Sequence, residues 1–181
     1  LDRSWYQTHY AREEGSVAAP TAGLHFTPSL SQRLVDRGIS FLEVILHVGP
    51  GTFVPVTADR LEDHPMHREE VAVEREALAR LYQPDRTGRL VAVGTTTARV
   101  LESLPDRCPE GDWATSTSLM IHPPFTWRFV DVLLTNFHLP RSTLLALVAA
   151  RTGIPLMQEA YARAVAEGYR FYSYGDAMLI L

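Results

Sequence analysis

Three histidines stand in matching settings in this sequence: His25 in Leu-His-Phe, His47 in Leu-His-Val-Gly and His138 in Phe-His-Leu-Pro. Each closes a short apolar stretch at the end of an expected element. In α/β sheets, ligands gather beyond the carboxyl ends of strands, where such positions point. Imidazole has an ordinary pKa close to neutrality, so it can give or take a proton or hold a substrate oxygen. One histidine in such a place is usually a core or surface group; three in the same context point to a shared site.

Several loops could complete that site. Gly15 to Thr27 (GSVAAPTAGLHFT) is built almost wholly from small residues, which let a backbone approach a ligand and present its own N–H groups. A structural connector is the plain alternative. Gly94-Thr-Thr-Thr97 follows a short apolar run and opens a helix, so its amides and hydroxyls could hold a carboxylate, ribose or phosphate. It lacks the Gly-Lys-Ser/Thr ending of a P-loop, and the chain has no Gly-x-Gly-x-x-Gly. Simple capping by these threonines is the alternative. Arg99 and Glu102, three apart on the following helix, form either a surface pair or the frame of the same pocket. Thr135 to Thr143 offers Asn136, an amide that can read a heterocycle or ribose, and Arg141. Tyr169 to Asp176 interleaves tyrosines, Phe171 and Arg170, a mixture that could stack on bases or pack a sheet edge.

His64, His67 and Glu69 are the cluster with metal-like composition. Catalytic zinc needs three protein ligands and an open position, and Pro65 disfavours the helical turn that this spacing would use. A metal-dependent hydrolase on these residues is kept as one rival reading.

The elements that must position these groups alternate between helix and strand. Helices are expected over residues 28–37, stopped by Gly38, and over 75–82, 98–104, 142–151 and 156–167; a short one is expected within 2–11. Strands are expected over 39–48, 70–74, 89–93, 119–121, 129–134 and 177–181, with an extended piece at 52–56 whose Pro55 keeps it at an edge and a loop over 105–116. The alternation predicts a single α/β domain over residues 1–181, a layered fold with a largely parallel sheet flanked by helices.

Composition sets outer bounds. The 181 residues are 46% hydrophobic with net charge −4, enough for one domain with a real core and unlike a general nucleic-acid coat, though a local Arg patch remains open. All 17 basic residues are Arg, and Cys108 is the single cysteine, which rules out an internal disulfide and fits a reducing cytoplasm. No apolar run is long enough to span a membrane, and no signal peptide pattern opens the chain. The chain begins at Leu1 rather than Met, as expected of a segment or a processed form.

Taken together, these segments resemble the S-adenosylmethionine:tRNA ribosyltransferase-isomerase family of queuosine biosynthesis. The resemblance rests on Tyr6-Gln-Thr with Tyr10-Ala, Gly15 to Thr27, Leu46-His-Val-Gly-Pro-Gly-Thr-Phe53 and His64-x-Met-His67-x-Glu69. It continues through Val91 to Thr96 with Arg99 and Leu101-Glu-Ser103, Asp131, Leu134-Thr-Asn-Phe-His-Leu-Pro140, Ser142 to Leu145, and Tyr169 to Met178. These pieces run through nearly the whole chain in family order. Two departures stand out: the family chain is longer at its N-terminus and includes an inserted β-barrel domain, expected to be absent here, and His122-Pro-Pro-Phe125 replaces an aromatic turn, preceded by an atypical Ala114 to Ser118.

The resemblance implies transfer and isomerisation of the ribosyl part of S-adenosylmethionine onto 7-aminomethyl-7-deazaguanine at the tRNA wobble position, giving epoxyqueuosine with release of adenine and methionine. S-adenosylmethionine is then a consumed substrate, no cofactor or metal is required, the partner is the modified tRNA, and a cytoplasmic monomer is expected. Under this reading His25, His47 and His138 supply proton transfer and orientation, with Asp131 or Asp176 as partners. Thr21, Gly23, Thr95, Thr96 and Asn136 hold S-adenosylmethionine, Arg99, Arg141, Arg170 and Tyr174 face the tRNA, and Glu102 lies by the same pocket. The main rival is a non-catalytic tRNA- or nucleotide-binding fragment lacking the upstream domain.

Overall fold

The computed structural model describes residues 6–12, 16, 18–49 and 55–181. Among these residues, six strands form two three-stranded sheets. In the first, β2 (Glu69–Val73) lies between β1 (Ile45–His47) and β4 (Trp113–Thr117), antiparallel to both. In the second, β5 (Val132–Asn136) lies between β3 (Val91–Val93), which is parallel to it, and β6 (Ala177–Ile180), which is antiparallel.

The α/β character matches the sequence expectation, but the largely parallel sheet does not: among the described residues only β3–β5 is a parallel pairing. The reason is visible in the residues. Parallel strands are covered on both faces and read as continuous apolar runs, whereas antiparallel strands with one wet face alternate. In β2, Glu69, Val71 and Val73 are buried while Glu70 is exposed, and β4 carries Thr115, Ser116 and Thr117. β4 also arises within what composition reads as loop, because its polar residues pair in full register with β2, from Glu69↔Thr117 to Val73↔Trp113. Conversely, only Ile45–His47 of the expected 39–48 strand is extended in a sheet, and residues 119–121 join none.

The helices form close to where periodicity places them: α1 (Pro28–Val35), α2 (Arg75–Leu81), α3 (Thr95–Glu102), α4 (Thr143–Thr152) and α5 (Ile154–Ala166). Thr27 caps α1 by accepting from the Leu30 amide at 3.1 Å, and Ser142 caps α4 by accepting from Leu145 at the same distance, each worth about 1 kcal/mol. No helix forms over residues 6–11; residues 2–5 of that expectation, and 52–54 of the expected extended piece, lie outside the described residues.

One apolar core runs through both sheets, with Val71 and Val73 of β2, Leu78 of α2, Val100 and Leu101 of α3, Leu133 of β5 and Leu147 of α4 among its members. Helix α3 lies between the two sheets and fixes them with charges. The Arg99 guanidinium meets the Glu69 carboxylate of β2 at 2.7 Å with both side chains almost fully buried. One turn later, the buried Glu102 carboxylate accepts from the amides of Arg128 (2.9 Å), Phe129 (3.1 Å) and Val130 (2.9 Å), gripping the segment that enters β5. Arg128 in turn donates to the carbonyls of Leu104 and Pro105 just past the end of α3, where the helix dipole favours a cation.

Removing one partner of a buried pair leaves an uncompensated charge and costs about 3–5 kcal/mol. Arg99→Met should therefore lower stability by that amount in urea denaturation, and Arg99→Met/Glu69→Leu should recover most of the loss. A single variant as stable as wild type would show that the pair does not tie α3 to β2.

Candidate functional site at the carboxyl ends of β3 and β5

The parallel pair β3–β5 directs both carboxyl ends the same way, and four segments meet there. Gly94 leaves β3 with φ +94°, a backbone conformation that side chains with a β-carbon rarely adopt, and its amide donates to the Leu134 carbonyl of β5 at 2.8 Å. That turn starts α3, so Thr95 and Thr96 stand at a helix N-terminus. Neither they nor Thr97 caps α3 with a side chain; Thr97 instead donates to the Val93 carbonyl at 2.8 Å.

The second segment is the 3-10 turn Thr21–His25 from the small-residue loop. Ala22 lies against Gly94, 3.7 Å from where a β-carbon would sit there, which joins the two loops. Gly23 has a packing reason to be glycine: a β-carbon would lie 2.1 Å from the Tyr10 hydroxyl and 2.8 Å from Thr8. Its side-chain face is thus turned to protein. At the far end of the same long loop, Ser16 accepts from the Val48 amide at 3.2 Å, which brings the residue following His47 against it. His47 itself is half-buried at the end of β1, opposite Glu70.

The third segment is the end of β5. Asn136 is buried, and its Nδ2 donates to the carbonyls of Tyr172 (3.2 Å) and Gly175 (3.4 Å). His138 is also buried; its Nε2 is 2.8 Å from the Thr135 hydroxyl, and its amide donates to the Tyr161 hydroxyl of α5 at 3.1 Å. Burial lowers the His138 pKa from 6.5 to about 4, so the ring is neutral at pH 7 and is suited to orienting a group rather than to delivering a proton. The same burial raises the pKa of Tyr161, the support beneath it. Arg141 follows on an exposed turn at φ +56°, its carbonyl accepting from the Val56 amide at 2.8 Å.

The fourth segment is Gly168 to Asp176. The Asp176 carboxylate accepts from the Arg170 amide at 2.7 Å and from its guanidinium at 3.2 Å. These bonds, with a smaller contribution from the nearby His25 charge, hold Asp176 below the usual carboxylate range. His25 is exposed, an accessible imidazole within electrostatic reach of the Asp176 carboxylate. Tyr174 is exposed and packs its ring 5.6 Å from that of Tyr6.

Thr21, Gly23, His25, Thr95, Thr96, Asn136, His138, Arg170, Tyr174 and Asp176 are therefore gathered at one edge, with Arg141 on the adjoining turn. Four residues read from sequence are not. His47 ends β1 in the other sheet. Asp131 precedes β5 and sits at its opposite end, about 16 Å from Asn136 at the rise of a strand; it accepts from the Leu90 amide at 2.7 Å and from Arg86 at 3.0 Å. Arg99 cannot face a macromolecule, since it is 4% exposed and paired with Glu69. Glu102 neither pairs with Arg99 nor borders this edge, being committed to the amides of 128–130.

The possible metal cluster is separated in the same way. His64 is buried, His67 is exposed and Glu69 is engaged by Arg99. Among the described residues no group of three or more His, Cys, Asp or Glu side chains converges as metal ligands would. An open depression bordered by Glu74, Arg75, Glu76, Ala79 and Asp112 lies at the start of α2 and contains none of the expected site residues. No helix among the described residues is long and apolar enough to cross a membrane. Nothing in the sequence singles out Tyr161, because one aromatic on a helical face carries no sign that its hydroxyl supports a neighbouring loop.

Comparison with known proteins adds independent findings. A family model described as Queuosine biosynthesis protein matches residues 1–180. The S-adenosylmethionine:tRNA ribosyltransferase-isomerase of Thermotoga petrophila is 55% identical over 177 residues, covering 97% of this chain and 53% of the relative. That of Rhizobium johnstonii is 54% identical over 181 residues, covering 99% of this chain and 50% of the relative. The crystal structure of S-adenosylmethionine tRNA ribosyltransferase from Thermotoga maritima superposes with a TM-score of 0.73 at 48% identity, over 88% of this chain and 51% of that one. The chain thus spans about half the length of the curated relatives it matches.

A histidine held neutral in the fold resists protonation that the unfolded chain accepts, so stability falls as pH drops below about 6.5 and the loss is complete near the folded pKa of about 4. Between pH 7.5 and 5 this group alone should remove about 2 kcal/mol. Urea midpoints across that range should show a shallower pH dependence for His138→Gln than for wild type. Equal slopes would contradict the buried neutral ring.

Proposed function

Because this chain belongs to the queuosine biosynthesis protein family, we propose that it contributes the strand-end half of the active site of an S-adenosylmethionine:tRNA ribosyltransferase-isomerase. The proposed reaction moves the ribosyl part of S-adenosylmethionine onto the aminomethyl group of 7-aminomethyl-7-deazaguanine at the wobble position and rearranges it to an epoxycyclopentane. Adenine and methionine leave, and the product is epoxyqueuosine in tRNA. The observation that carries this reading is the convergence of His25, Thr95, Asn136, His138 and Asp176 at one edge, in a chain 55% identical to relatives of that name.

The chemistry assigns work to these groups. The sulfonium acidifies the neighbouring ribose carbon, so a base is needed; adenine must be hydrogen-bonded or protonated to leave; and the attacking amine must be neutral. His25, exposed beside ionised Asp176, and His47 at the end of β1 are the proton carriers in this reading. His138, neutral and tied to Thr135, orients the substrate. Thr21, Thr95, Thr96 and Asn136 bind S-adenosylmethionine, with Gly23 letting the Thr21–His25 turn close against Tyr10. Arg141, Arg170 and Tyr174 contact the tRNA.

Adenine release from S-adenosylmethionine, with tRNA carrying the aminomethyl precursor, tests this in a full-length family background. Alanine at His25, His47 or His138 should reduce turnover by about tenfold or more; wild-type turnover in the His25 and His138 variants would exclude a catalytic role for this edge, and in the His47 variant a role for the end of β1. Arg141→Ala should weaken tRNA binding and reduce the salt slope by roughly one phosphate contact; an unchanged slope would remove Arg141 from the interface.

A further inference from the structure

Residues Tyr169 to Asp176 form a loop that is rigidly built yet holds aromatic rings in solvent. Tyr172 adopts φ +75°, a strained conformation for a tyrosine. It is held there by its amide donating to the Phe137 carbonyl at 2.9 Å and its own carbonyl accepting from Asn136. Gly175 has no room for any side chain: a β-carbon would lie 2.5 Å from the Arg170 carbonyl oxygen and 2.6 Å from Phe171. Asn136, anchored through its amide nitrogen, leaves Oδ1 buried with no hydrogen-bond partner among the described residues.

This framework sorts the rings. Phe171 turns inward, 5.2 Å from Phe137 and 5.9 Å from Tyr161, while Tyr172 and Tyr174 stay 47% and 60% exposed. Tyr6, Tyr172, Tyr174 and Arg170 border one open depression of about 510 Å³. A loop serving only the core would bury these rings, since burying an aromatic side chain stabilises a fold by a few kcal/mol. A strained, latched backbone presenting exposed tyrosines beside an arginine fits a planar, polar, aromatic ligand instead.

We propose that Tyr6, Tyr172 and Tyr174 form a preformed stacking platform for one unstacked RNA base, a nucleotide flanking the wobble position. This rests on the function proposed above, and the platform is continuous with that edge through Arg170–Asp176 and the neighbouring His25. Single-stranded RNA is read by bases laid on aromatic faces, a contact that tolerates sequence and involves no counterion release. Asn136 and Gly175 are positioning residues that keep the platform's angle.

The test uses an anticodon stem-loop RNA with 2-aminopurine beside the wobble nucleotide, binding to the full-length background without S-adenosylmethionine. Tyr174→Ala should raise Kd about tenfold or more and restore 2-aminopurine fluorescence, Tyr174→Phe should stay within about twofold, and the salt slope should be the same in all three. An unchanged Kd for Tyr174→Ala, an equal loss in Tyr174→Phe, or a loss seen only in KM for S-adenosylmethionine would overturn the platform. Adenine release by the wild type, measured in parallel, keeps the two readings separate: without it the enzymatic reading fails, whereas the platform stands or falls on RNA affinity.

Discussion

The arrangement depends on a charged side chain that sits where charges are costly. Arg99 is buried in the middle of α3 and survives there because Glu69 of β2 meets it at 2.7 Å. Burial pushes its pKa down and Glu69 pulls it back, and a guanidinium keeps its proton under such opposed effects. A well-packed apolar pair would serve stability as well or better. What the ion pair adds is direction, since it fixes the rotation and height of α3 against a strand of the other sheet. Glu102 does the same one turn further on by accepting from three successive amides before β5.

With α3 set by these two carboxylates, the Gly94–Thr96 turn at its start is set as well. That turn holds the Thr21–His25 loop through Ala22 and the β5 end through Leu134. The three histidines occupy three environments: exposed and within electrostatic reach of Asp176, half-buried at the end of β1 in the other sheet, and buried as a neutral ring on Thr135. Similar sequence contexts have become different chemical tools.

Much of this was legible beforehand. The helices near residues 28–35 and 143–152 and the β3-turn-α3 unit follow from local residue patterns, because turns and periodicity are local physics. Pairing is not local. Nothing in Ala114 to Thr117 says that these small polar residues will pair with β2, and nothing near Arg99 names Glu69, thirty positions earlier in the chain, as its partner. For the same reason Asp131, which lies in a family-like segment, proved to fasten Leu90 and Arg86 at the far end of β5. In the unusual His122-Pro-Pro-Phe125 turn, Phe125 lies edge-on to Trp127, which donates to the Ala150 carbonyl and is covered by Arg151.

The central claim is that ligand binding occurs at the carboxyl ends of β3 and β5, on loops that α3 holds in place. Amide hydrogen exchange with and without saturating S-adenosylmethionine, in a full-length background lacking tRNA, tests it most directly, since exchange reports local opening residue by residue. The account predicts new protection at residues 21–25, 94–97 and 135–138, with no change at 86–90 or 128–131. Protection confined to the opposite strand ends, or to the depression beside Glu74 and Asp112, would contradict it.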